Sequence, residues 1–215
     1  MAEAVELERQ QRQLSRLETL MDVMFALMLF RVLAPLPLPR AEEDWVWTFG
    51  ALGEFFMEEG SAILMAIIGV ILIVVYWLQN NKLLGNLVRT NGTHVAFCIA
   101  QLVFLIFYAY GMAIAEEFDS PSARALQSLA LAGVGFSGFL GFRYAAQDRR
   151  LLSDSMSDKD AEALKINVLP EPVAALVTIP LAFVGPWAWE FGWLIMLPLG
   201  SWLRRRYDAR YAEED

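Results

Sequence analysis

Between Gly60 and Leu78 the chain carries no Asp, Glu, Lys or Arg. A helix rises about 1.5 Å per residue, so a charge-free run of this length matches a hydrocarbon core of roughly 30 Å. The same arrangement recurs along the sequence. Leu17 to Leu33 forms a first apolar run, Val95 to Ala115 a third and Ala123 to Ala146 a fourth. The last block, Val168 to Leu203, is too long for one span and is interrupted at Gly185-Pro186. It reads as a tight hairpin of two short spans, with a re-entrant hairpin as the alternative. Hydrophobic residues make up 57% of the chain, above the roughly 45–50% of soluble domains. The excess is gathered into these runs.

The expected fold is therefore all-α, a polytopic membrane protein of six transmembrane helices. Residues 1–16 form a cytoplasmic, helix-prone N-terminal segment, 17–203 the six-helix domain and 204–215 a cytoplasmic tail. The polar start and the lack of a small-residue cleavage site after the first run predict that this run is retained in the mature protein. Charges between the runs test the map independently. With both termini and the 79–94 and 143–168 loops on one side, that side holds fourteen of the 17 Lys and Arg. Only Arg40 and Arg124 fall on the other side, and Arg31 lies within a span. Such asymmetry follows the positive-inside rule and places both termini in the cytoplasm.

Several function classes lose support at this stage. A net charge of -8 argues against nucleic acid as a partner, since a binder needs a basic face. The single cysteine, Cys98, reads as a small buried packing residue. His94, the one histidine, reads as an interfacial residue without a His or Cys partner at metal-ligand spacing. No nucleophile motif and no Gly-rich phosphate loop is present, so no enzyme activity, cofactor or metal is expected. Residues 40–58 read as an acidic loop with interfacial aromatics, able either to attract cations or simply to be solvated. Gly133, Gly135, Gly138 and Gly141 in the fourth run allow close helix approach. The triple arginine at 204–206 reads as a headgroup anchor.

Two ionisable residues lie within the first run, Asp22 and Arg31, and charges inside a span are costly unless paired or wetted. They stand about 13.5 Å apart along a straight helix and cannot pair with each other there. Asp22 is either a helix-entry carboxylate bonded to its neighbours or a functional group. Arg31 either snorkels to the outer headgroups or faces a pathway.

The stretch from Arg16 through Leu20, Met21 and Asp22 to Ala26 resembles the opening of the TMEM175-like (DUF1211) family, whose first helix begins R-x-x-x-F-S-D. Arg16 and Asp22 match in place and spacing, while Leu20 and Met21 stand where the family has Phe and Ser. Tyr76-Trp77, Leu83-Leu84 and Asn91 resemble the family's Trp-x-x-x-His region, with Asn81 where His is usual. The resemblance implies a potassium-permeable channel in a prokaryotic plasma membrane. It implies a homotetramer in lipid, with the first helix lining a central pore for monovalent cations. It also places a hydrophobic constriction near Leu27, followed on the same face by Phe30 or Arg31 and then Ala34. An apolar ring there could gate by excluding water. Arg31 on the axis would instead favour anions or a non-conducting sensor or scaffold. A small transporter is the remaining alternative, and no inverted repeat supports it.

Overall fold

The protein is described here by a computed structural model covering residues 2–37, 48–118 and 120–212. Its regular elements are all helical: α1 (Ala2–Leu33), α2 (Phe49–Leu84), α3 (Gly92–Phe118), α4 (Pro121–Ala146), α5 (Asp158–Asn167), α6 (Pro170–Leu181), α7 (Pro186–Gly192) and α8 (Met196–Ala212). Short 3-10 turns follow α4 and α7. Four stretches are long and apolar enough to cross a membrane: Ala62–Leu84, Gly92–Ala115, Pro121–Arg149 and Asp158–Leu181. The first helix is not among them, because Arg16, Glu18, Asp22 and Arg31 lower its apolar density. The segment after Gly185 falls short as well, broken into α7, a 3-10 turn and α8 with Pro198 inside it.

Helix starts follow the local sequence. Thr48 Oγ1 accepts from the Ala51 amide, Asn91 Oδ1 from the His94 amide, Ser120 Oγ from Ala123 and Ser157 Oγ from Asp160. Each side-chain oxygen satisfies an amide that the first turn leaves without an intrahelical partner. Pro121, Pro170 and Pro186 occupy the first helical positions, where a missing N–H costs nothing. Two boundaries differ from the sequence expectation. Residues 49–58, read as part of a loop, are the first turns of α2. Glu54 and Glu58 are compatible with a helix whose start is capped by Thr48, and periodicity is a poor guide in so aromatic a stretch. The charged stretch 147–168 contains α5, whose Ser157 cap and acidic first turn favour a helix start. The acidic residues Glu42, Glu43 and Asp44, with Arg40, Trp45 and Trp47, lie outside the described residues.

The chain divides into two compact units. One comprises Asp22–Leu78; the other comprises Met1–Met21 with Gln79–Asp215. In the second unit α4 is central, packed against both α3 and α6, while α5 and α8 meet each other. Glycines set these approaches. A Cβ on Gly133 would lie 2.4 Å from the Phe104 ring of α3, and one on Gly135 would lie 2.7 Å from Pro172 of α6. The remaining two glycines continue the seam, Gly138 against Gln101 and Gly141 against Phe97. Because lipid is as apolar as the side chains, helices in a membrane are held by close contact rather than by escape from water. At one end of this unit the linkers pair. The Val88 amide donates to the Leu151 carbonyl and the Ser153 amide to Asn86, burying Leu87, Leu151 and Leu152. Asp148 and Arg149 adopt positive φ of 54° and 53°, which is uncommon for residues with a side chain. Arg149 is held there by bonds to the Asp158 carboxylate and to the Ser153 and Met156 carbonyls.

In the Asp22–Leu78 unit the contacts are fewer in kind. Gly69 of α2 lies where a Cβ would be 2.9 Å from Val32 of α1. Leu72, Ile73 and Tyr76 of α2 are buried, as are Phe25 and Met28 of α1.

Candidate functional site

On α1 the buried residues are Leu14, Leu17, Met21, Phe25, Met28 and Val32. Their spacings of three and four place them along a single stripe. The residues singled out from the sequence divide cleanly against it. Met21 belongs to the buried stripe and is fully enclosed, so the position held by a small polar residue in the motif is here an apolar packing site. Arg16, Leu20, Val23, Leu27, Phe30 and Ala34 are exposed. At 100° per residue they form a second stripe on the opposite side of the helix. Leu27 is 52% exposed and Phe30 71%, so the described residues leave much of both uncovered. Arg31 lies at the edge of this second stripe, half-buried and engaged in an interaction.

Asp22 has a specific partner. The Trp77 indole N–H donates to its Oδ1 at 2.9 Å. This bond joins the two segments that carry the family resemblance, one on α1 and one near the end of α2. Asp22 is thus a hydrogen-bonded carboxylate, and its partner is 55 residues away in the sequence.

His94 departs from the interfacial reading. It is 3% exposed, with Nδ1 2.8 Å from Thr90 Oγ1 and Nε2 3.9 Å from Cys98 Sγ. Cys98 is buried, as its apolar surroundings in the sequence indicate. It stands four residues after His94, on the same helix face, and that spacing is the signal the sequence reading passed over. Two side chains do not hold a metal ion, and no group of three or more His, Cys, Asp or Glu converges among the described residues. Around this pair Asn91 both caps α3 and donates to the Tyr144 hydroxyl, while the Arg150 guanidinium sits 5.1 Å from the Tyr144 ring centre. The cluster ties the start of α3 to the end of α4.

Two further polar groupings lie inside the unit built on α4. Ser128 Oγ is 2.8 Å from Thr178 Oγ1 and accepts from the Trp189 indole at 2.7 Å, and Thr178 in turn donates to the Ala175 carbonyl. The Gln127 amide donates to the Gly111 carbonyl at 3.4 Å. These bonds satisfy buried hydroxyls and link α4 to α6, α7 and α3. The other grouping is at Glu171, at the start of α6, whose carboxylate lies beside the Gln79 side chain. Neither was visible in the sequence, where each residue stands alone in an apolar run.

No known protein-family model matches the chain, and no curated protein is significantly similar to it.

Proposed function

We propose that this chain is a six-span, TMEM175-like membrane protein that assembles with copies of itself, as a tetramer, around the exposed stripe of α1. The assembly conducts potassium or other monovalent cations, and Leu27 forms its apolar constriction. The observation that carries the reading is the two-sided character of α1. One stripe is consumed within the chain, and the opposite stripe, with Leu27 and Phe30 at its centre, is left to a neighbour or a water path. The Asp22–Trp77 bond supports the family resemblance, because it links both matching segments. Arg31 at the stripe's edge is consistent with cation passage, since a ring of guanidinium groups on the axis would repel cations. Both termini are assigned to the cytoplasm on the strength of the charge asymmetry, and the segment after Gly185 completes the sixth span.

Reconstitution in liposomes with ion-replacement flux tests this reading. Potassium flux is expected from the wild type, and Leu27→Ala should raise basal flux several-fold by wetting the narrowest point. A monomer by native mass spectrometry, or unchanged flux in Leu27→Ala, would remove Leu27 from the pathway. The competing reading is the same fold conducting anions or nothing. It is favoured if potassium flux is absent and Arg31→Ala creates or inverts it.

A further inference from the structure

A carboxylate within an apolar helical span is costly, and it persists where partners or a function hold it. Glu171 lies in the candidate span Asp158–Leu181, outside anything the channel reading uses. Three other polar side chains lie on the helices that meet along one stretch of α4. The Gln79 side chain of α2 lies beside the Glu171 carboxylate. Pro172, the next residue of α6, lies against Gly135 of α4. One turn further along α4, at Gly138, Gln101 Nε2 of α3 and Leu83 Cδ1 of α2 lie 3.2 and 3.5 Å from where a Cβ would be. Asn80, beside Gln79, shares the Leu83 face of α2 at a spacing of three. Gln101 stands nine residues past Gly92, about 13 Å into α3.

The hydrogen bonding of this cluster is incomplete. Asn80 is 2% exposed and its Nδ2 has no partner, and Glu171 Oε2 is buried without one. Gln101 is 3% exposed. A buried donor and a buried carboxylate oxygen left without partners are expensive, and such groups are normally satisfied. No charged side chain compensates Glu171 among the described residues; burial, the Gln79 amide and a backbone N–H are what act on its carboxyl. Charges on neighbouring elements lie elsewhere. Lys165 of α5 is ion-paired with Glu162, Lys82 of α2 and Arg143 of α4 are exposed, and Arg204, Arg205, Arg206 and Asp208 lie on the exposed polar end of α8. Arg124 of α4 and Glu190 of α7 have interactions of their own.

We infer that Glu171, with Gln79, Asn80 and Gln101, forms a proton-binding site inside the helical bundle. On uptake a proton from water forms an O–H bond on the carboxylate, removing the one negative charge of the cluster. On release the charge returns to a site whose only compensation is amide dipoles. The Gly135–Pro172 contact adjoins the carboxyl, so the two charge states place different demands on the α4–α6 seam.

Dicyclohexylcarbodiimide, an apolar reagent that modifies protonated carboxyls, tests the inference on the full-length protein in vesicles, with the modified residue located by peptide mass mapping. Modification of Glu171 is expected, diminishing as pH rises and absent in Glu171→Gln. No modification of Glu171 at any pH, or modification independent of pH, would overturn the inference. Protection at fixed pH by potassium or sodium salt, but not by choline salt, would also overturn it, showing that a metal cation rather than a proton occupies the carboxylate.

Discussion

The glycine-lined seams of α4 and the α1–α2 pair solve the same problem with different means. Around α4, backbones approach over Gly133, Gly135, Gly138 and Gly141, and buried hydroxyls are bonded across helices at Ser128 and Thr178. In the Asp22–Leu78 unit, Gly69 makes a close approach, at Val32, whereas Gly53 and Gly60 face open space. Large apolar side chains there, Val23, Leu27, Phe30, Ile67 and Ile71, remain exposed. Contact area and interhelical bonds hold membrane helices together. The α4 seams are therefore self-sufficient, and the α1–α2 pair has surface to spare for lipid or a neighbour.

The strongest test of that contrast is Gly135→Ala. Its new methyl would sit 2.7 Å from a Pro172 ring atom that cannot rotate away, so the seam must open at a cost of about 1–3 kcal/mol. Thermal unfolding in detergent should show the loss. The same change at Gly53, with nothing within 4 Å, should instead stabilise by up to about 1 kcal/mol through helix propensity. Equal effects at the two glycines would erase the distinction. Ser128→Ala comes next. It leaves the Trp189 indole N–H without its acceptor and removes one of the two partners of Thr178. A loss of about 1–2 kcal/mol is expected, with a shift in tryptophan fluorescence reporting on the indole.

Trp77→Phe probes the other unit and should be milder. Its hydrogen bond to Asp22 is partly exposed, and interhelical bonds of this kind average about 0.6 kcal/mol. A double-mutant cycle with Asp22→Asn measures the coupling, and a value near zero would leave the two resemblance segments energetically independent. The smallest effect concerns the start of α1. The Arg9 guanidinium, and then the Gln10 amide, hold the Glu6 carboxyl below its ordinary range. A lowered folded-state value means the contribution is present above the ordinary glutamate range and is lost as pH falls through the lowered one. Protection factors of the amides in the first turns of α1 should fall as pH drops through that interval, and Glu6→Gln should flatten the dependence.

The helices were legible where composition alone decides. Val95–Ala115 and Ala123–Ala146 lie within α3 and α4 with margins of a few residues, and the Gly185-Pro186 break stands between α6 and α7. The start of α2 was hidden because residues 49–58 mix acids with aromatics, a pattern shared by loops and interfacial helices. His94 was misplaced for a related reason. A histidine at a helix start looks interfacial until it is seen enclosed beside Thr90, Cys98 and Gly141. The motif residue Met21 and the expected constriction residue Leu27 look alike in the sequence, both apolar and on one helix; one is enclosed and the other exposed.

By itself, then, the sequence determined where the apolar runs lie and, at Gly185-Pro186, where one of them is broken. Those properties depend on neighbours within a turn or two and on the solvent each run prefers. The tertiary structure alone decided which stripe of α1 is buried, that Asp22 meets Trp77, and that Glu171 of α6 comes beside Gln79 of α2. A helix presents every face equally to an unfolded chain. Only packing against particular partners selects one face, and the polar groups that meet across it are brought together from positions with no local relation.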